Sequence, residues 1–364
     1  RSLCLTIGFP ISPSTNSSTK VVSRKKSSPA TRQRRIVSLL PDNAAFVFVK
    51  PHANLSPSCR NLVRDVLKSH KIKIVEEGEI TSDEIDRGQL IDQHYYAIGS
   101  KAVLLQPSEL DVPNSKFESV FKVSWQSVLD SQSVFNAKDA CNVLSITPAQ
   151  LDEVWGAAKD LGKLVKLGGG FYCGLIDTIP DKPAIYVING FYMSMRAKFV
   201  NPGSSIYYFS VEWNSSDLSF ADFRNKVLGS TDPHFAPTDS IRGLILSNWQ
   251  SLGLESPPNT GDNGVHASAS PFEGLAERMN WLRVSPEDDN FGRKLLDCGF
   301  LEDTLYEWIC DPLILDRSVF DSLENLDSYD CLARSLHLSL HFPAPPVEST
   351  HVSNSHPISI QPKL

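Results

Sequence analysis

Among nine histidines, His266 has the setting best suited to chemistry. Gly264 precedes it and Ala267-Ser268 follows, so small side chains leave room for a ligand to approach. A neutral imidazole, with an unperturbed pKa of ~6.5, is a good nitrogen nucleophile near neutral pH. The other eight (His52, His70, His94, His234, His337, His341, His351, His356) show how ordinary a lone histidine is. His337 and His341 stand four apart and could chelate a metal from one helix face. No third ligand accompanies them and the leucine alternation suggests a strand, so no metal site is expected. Lys50, followed by Pro51, and Arg242, after a long loop, are candidate cations for an anionic ligand. Taken singly they are a solvated charge and a surface ion-pair partner. Gly168-Gly-Gly170 could cradle a phosphate, but without a following Lys-Ser/Thr it reads as a turn.

Charge narrows the ligands. Residues 1–41 carry eight basic and no acidic residues, leaving 27 basic against 42 acidic in the rest. Such a body has no footprint for tracking a nucleic-acid backbone, so a bound anion must be held by a local cluster of cations and amides. Hydrophobic residues at 41% and charged residues at 21% are ordinary for a globular chain. No apolar run approaches the ~20 residues of a membrane helix, so neither nucleic acid nor membrane is an expected partner. Seven cysteines without a C-x-x-C fit reduced thiols in a reducing intracellular compartment. The Ser-rich, acid-free leader reads equally as a chloroplast or mitochondrial transit peptide or as a disordered basic tail of a cytoplasmic protein.

The elements that must carry these residues follow from periodicity. Residues 45–49 form a buried strand ending at Lys50-Pro51. A helix over 57–70 places Leu62, Val63, Val66 and Leu67 on one face. A second strand spans 71–80, and Ser82-Asp-Glu opens a helix running past Tyr95 towards Val103. Residues 107–189 read as a mostly helical insertion. Then come a helix (191–199), a strand (206–213), a helix (220–228), the loop 229–240, and a helix over 271–282 after the histidine. Residues 286–342 read as a helical extension and 343–364 as a disordered tail.

Several segments, in order, resemble nucleoside diphosphate kinases: Lys50-Pro51; Gln93-His94-Tyr95; Leu228-Gly229-Ser-Thr231-Asp-Pro233 with Ser240-Ile241-Arg242-Gly243; and Asn263-Gly264-Val265-His266-Ala267-Ser268, with Glu277 at the family's spacing beyond. The resemblance covers residues 42–106 and 190–285. It implies an α+β fold, a ferredoxin-like antiparallel sheet flanked by helices, interrupted by the insertion and followed by the helical extension. It also implies transfer of a γ-phosphoryl group from a nucleoside triphosphate to His266 and on to a nucleoside diphosphate. Glu277 would fix the imidazole tautomer. Lys50, Tyr95, Thr231 and Arg242 would supply phosphate donors, Asn263 would meet the ribose, and Phe191 would be the shelf under the base. Magnesium would travel with the nucleotide, and a homo-oligomer is compatible with the family.

The departures are specific. A phosphate-binding arginine is expected at Asn225, and Arg224 is its neighbour, so either a local shift substitutes Arg224 or the contact is lost. Such a loss would cost roughly 2–4 kcal/mol of transition-state stabilisation. Ala269 replaces an acid, His52 follows the Lys-Pro where Asp is usual, and about eleven extra residues precede His266. A catalytically weak or inactive nucleotide-binding or scaffold module of the same fold is therefore the alternative expectation.

Overall fold

The computed structural model describes residues 43–342, so the basic leader and the tail lie outside the described residues. The chain is α+β, with mixed sheets and many helices. One four-stranded antiparallel sheet runs in the order β2 (Lys73–Thr81), β7 (Ser205–Trp213), β1 (Asn43–Val49), β8 (Val265–Ala267). Every residue of β1 is buried, which explains its unbroken apolar run: both faces are covered. Alternation then divides its side chains. Ala45, Val47 and Val49 join a core with Val63 and Leu67 of the helix Pro57–Ser69 and Ile241 and Ile245 of the helix Ile241–Asn248. Phe46 and Phe48 join the opposite core, with Ile85, Ile91, Phe199 and Trp281.

The helix expected from Ser82 to Val103 is instead broken. Thr81 caps Ser82–Arg87 in a reciprocal box with Glu84. Gln89 turns left-handed (φ 51°), and the chain resumes as Leu90–His94, Tyr96–Gly99 and a π-helical turn, Ser100–Leu104. Periodicity carried on across these breaks, so the sequence alone concealed them.

The insertion is built on a second sheet, ordered β3 (Val134–Asn136), β6 (Ile185–Ile188), β5 (Phe171–Ile176), β4 (Leu164–Gly168), that the sequence reading did not foresee. Its helices Ala137–Leu144 and Pro148–Asp160 pack on this sheet with Ala102, Val103, Tyr192 and Met193, so the insertion's core reaches past residues 107 and 189. Gly168–Gly170 does make the β4–β5 turn, with Gly170 at φ 57°. The extension packs Trp308, Val319 and Leu338 against Phe272, Leu275 and Met279 of the helix Pro271–Leu282. That helix is therefore buried on nearly all sides. His337 lies on a helix, Ser328–Ser339, not on a strand, and its ring meets that of His341 at 5.2 Å. No helix among the described residues is long and apolar enough to cross a membrane.

Candidate active site

β8 is short and holds His266 in place from both ends. Its Val265, His266 and Ala267 pair with Val49, Phe48 and Val47 of β1. Gly264 precedes it at φ 87°, where an added Cβ would also meet Ile245 at 2.8 Å, so only glycine suits the turn. The Lys50 amide donates to Gly264 O at 2.9 Å, and Gly264 N donates to His52 Nε2 at 3.2 Å. The end of β1 and the start of β8 thus fix each other, placing Lys50 and His266 at one sheet edge.

The imidazole stacks on Phe48 (4.8 Å between centroids) and meets the edge of His94 (4.5 Å). Its side chain is 18% exposed. Nε2 lies 2.5 Å from Glu277 Oε1, and among the described residues Nδ1 makes no hydrogen bond. Ser268, two residues on and so on the same strand face, donates to Glu277 Oε2 at 2.6 Å and accepts from Phe46 N at 2.8 Å. His94 Nδ1 lies 3.5 Å from Glu277 Oε1. His94, His266 and Glu277 therefore gather within 4.8 Å of one another, a cluster the sequence reading did not assemble beyond the His266–Glu277 pair.

Burial dominates the electrostatics. It holds His266 well below its ordinary pKa, and the charges of Lys50, Arg242 and Arg224 press in the same direction. The ring is neutral at neutral pH. Burial pushes Glu277 and Glu273 up, each raised further or restrained by neighbouring charges. Burial and then Arg242 bring Lys50 down to about 8. Burial and then Arg224 bring Arg242 down to about 10. Three cations therefore stand close enough to one another and to the imidazole to repel protons. They form the local field that suits an anion.

Each has its own tether. Arg242, 8% exposed, donates from Nη1 to Gly229 O (2.8 Å) and from Nη2 to Val265 O (3.1 Å). Its Nε is buried with no hydrogen-bond partner among the described residues, as is Asn263 Oδ1. Asn263 Nδ2 donates to the carbonyl of Thr231, whose side chain is on the exposed loop. Arg224 donates from Nη1 to Glu324 Oε1 (2.6 Å) and Asn325 Oδ1 (2.7 Å) of the extension. The segment Phe223–Leu228 is a π-helical turn, in which Gly229 N donates to Arg224 O, five residues back, at 3.0 Å. A π turn accommodates one extra residue, so it moves Arg224 onto the face that Asn225 would occupy in an α-helix.

Tyr95 lines a cleft of about 250 Å³ with Lys50, His52, Lys198, Phe199 and Asp262. Burial, then Glu277 and Glu273, push its hydroxyl up to about 12. Phe191 is not part of this cleft: its ring packs on Trp155 (6.1 Å) and Tyr172 (5.8 Å) in the insertion's core. The helix begins at Tyr192, and the phenylalanine at the cleft is Phe199, two turns further on. Lys198 and Asp262 were missed because nothing local in sequence joins residues 64 apart.

No family model matches the chain, and no curated protein matches it. Among solved structures, the crystal structure of an NDP kinase from Pyrobaculum aerophilum is similar over 68% of this chain and 99% of that chain, with 17% identity and a TM-score of 0.29.

Proposed function

We propose that this protein transfers phosphoryl groups between nucleotides through His266, as a nucleoside diphosphate kinase does. The observation that carries the reading is the His266 Nε2–Glu277 contact at 2.5 Å, with Nδ1 unbonded among the described residues and under the charge of three cations. With its proton on Nε2 and shared with the carboxylate, the ring offers the Nδ1 lone pair. That pair forms a P–N bond to the γ-phosphorus of a nucleoside triphosphate as the bridging P–O bond breaks. The diphosphate leaves with the electron pair. A second diphosphate then takes the phosphoryl group by the reverse exchange. Charge spread over the phosphoryl oxygens needs preorganised donors, and Lys50, Arg242 and Arg224, whose charges bear on His266, would supply them. The unpartnered Arg242 Nε and Asn263 Oδ1 also suit a polar ligand. The strand order of the main sheet agrees with a ferredoxin-like arrangement.

Magnesium would come with the nucleotide. Asp262, the carboxylate lining the cleft, is engaged by Lys198, and the surroundings are cationic. This suits a metal held by phosphates and not by side chains. When bound, it would supply positive charge that offsets the charge of the phosphates.

The test is incubation with γ-labelled ATP. Acid-labile, alkali-stable label is expected on the wild type and none on His266→Ala; an unlabelled wild type at millimolar Mg-ATP refutes the reading. One observation favours the alternative, a nucleotide-binding module without turnover. Arg242 and Arg224 are already committed to internal acceptors. Saturable nucleotide binding with no exchange selects it.

A further inference from the structure

The segment just before His266 carries an acid into the cationic cleft. Residues 259–262 fold into a tight turn, in which Asn259 Oδ1 accepts from Gly261 N (2.9 Å) and Asp262 N (3.0 Å). Asn259 N in turn donates to Asp262 O at 3.2 Å. The turn lies over Lys50, whose Nζ donates to Gly261 O at 3.1 Å. Asp262 takes both oxygens to Lys198 Nζ, at 2.9 and 2.8 Å. His52 Nδ1 stands 3.7 Å from Asp262 Oδ1. Since His52 Nε2 accepts from Gly264 N, its proton is on Nδ1, facing the carboxylate.

Three nitrogen donors from two separate elements therefore meet this turn: Lys198 and His52 at the Asp262 carboxylate, and Lys50 at the neighbouring Gly261 carbonyl. The ionised carboxylate binds Lys198 through both oxygens, as a phosphate oxygen pair would, and lends its charge to His52 and Lys50. Its hold is weak: Lys198 is 51% and Asp262 32% exposed in this pair, and exposed ion pairs contribute little. With the turn down, the cleft measures about 250 Å³, just below the ~300–1,000 Å³ of typical ligand sites. Burial and then Arg242 lower the proton affinity of Lys50, while the charge of Asp262 raises it, as the charge of a bound phosphate would.

We infer that Asp262 is a built-in stand-in for phosphate, and that the phosphate chain of a nucleotide displaces it and takes Lys198 as an additional ligand. This deepens the proposed phosphoryl-transfer reading and rests on it for the identity of the ligand. Displacement trades one carboxylate for a multiply charged phosphate chain, so the cations gain charge-assisted bonds while the turn swings off Lys50. Lys198, on the helix Tyr192–Val200, lines the same cleft as Lys50 and then contacts the ligand there.

The experiment is calorimetric titration of the full chain with magnesium tripolyphosphate and with Mg-ADP, using the wild type, Asp262→Asn, Asp262→Glu, Lys198→Met and the double variant. Phosphohistidine labelling is run in parallel. Asp262→Asn should tighten binding of both probes about fivefold, and Lys198→Met should weaken it about tenfold, the scale of one charge-assisted contact. The Lys198→Met loss should persist in the double variant, and Asp262→Glu should stay near the wild type. If Asp262 merely staples the turn, Asp262→Asn leaves affinity unchanged or lowers it, and the inference is overturned. Unchanged affinity in Lys198→Met overturns it equally, as does failure of tripolyphosphate to bind any variant. Labelling without the affinity changes leaves phosphoryl transfer standing and removes the displacement; the affinity changes without labelling do the reverse.

Discussion

Phe48 and His266 face each other across the β1–β8 ladder, and their rings stack at 4.8 Å with planes 26° apart. The stack clamps one face of the imidazole while the edge of His94 meets it at 83°, so the ring has little freedom about χ2. The orientation that remains points Nε2 at Glu277. Tertiary packing, and not the hydrogen bond alone, thus selects which nitrogen is presented. Phe48 is fully buried, so Phe48→Ala should cost ~3–5 kcal/mol of stability by thermal or denaturant unfolding. Phe48→Leu keeps most of the apolar volume and should fold, yet lose about tenfold in phosphate exchange as the ring gains freedom. Exchange unchanged in Phe48→Leu would show that the stack has no part in orienting the ring.

Glu277 separates charge from geometry. In Glu277→Gln the side-chain oxygen can still accept from His266 Nε2. Its new amide can donate to Ser268 Oγ, whose proton can turn to Phe46 O at 3.1 Å. The tautomer survives, and only the negative charge opposing the developing imidazolium is lost. Exchange should fall by about 10- to 100-fold, matching a charge-assisted bond reduced to a neutral one. Glu277→Ala removes the acceptor as well and should fall further. Equal rates for the two variants, measured by coupled exchange kinetics, would contradict this division.

The pH profile of kcat/KM should be a bell with assignable limbs. Glu277 is raised by burial, so as pH falls through its pKa the carboxyl becomes protonated and can donate to Nε2. The ring proton then moves to Nδ1 and blocks attack. His266 itself stays neutral there, because burial and three cations hold it well below its usual value. Lys50, lowered to about 8, loses its charge as pH rises through that value, which weakens phosphate binding. Lys50→Arg cannot titrate in this range, so it should flatten the alkaline limb whatever it does to the maximum. An alkaline limb unchanged in Lys50→Arg would assign it to another group.

How much could be read beforehand depended on the range of each interaction. The run Ala45-Phe-Val-Phe-Val49 announces a buried strand, and the pattern over 271–282 announces the helix that carries Glu277. His266 and Ser268 share a face because strand periodicity is two. Residues whose partners come from remote segments were not accessible in that way. Asp262 finds Lys198, and Arg224 finds Glu324, only after the chain has closed. Phe191 fell on the wrong side of a helix start by a single residue, and one residue is a rotation of about 100° on a helix, enough to carry its ring into the insertion's core.

The same one-residue arithmetic makes Arg224 the sharpest test of local geometry. Spacing back from Gly229 points to Asn225, but the π turn Phe223–Leu228 adds a residue to the loop of the helix, and the charge felt by His266, Arg242 and Glu273 is that of Arg224. Arg224→Ala should therefore cost about 10²- to 10³-fold in exchange, the usual consequence of losing one preorganised donor to a transition-state oxyanion. Asn225→Ala should stay within a few-fold of the wild type. Glu324 competes for the same guanidinium at 2.6 Å, so Glu324→Gln should free it and lower KM for the nucleotide without altering the unfolding midpoint by more than an exposed pair allows. Steady-state kinetics on the three variants decide the matter. Losses centred on Asn225 would mean that the turn relaxes to an α-helix when ligand binds, and a KM unmoved in Glu324→Gln would mean that the extension holds Arg224 in its working position and does not compete for it.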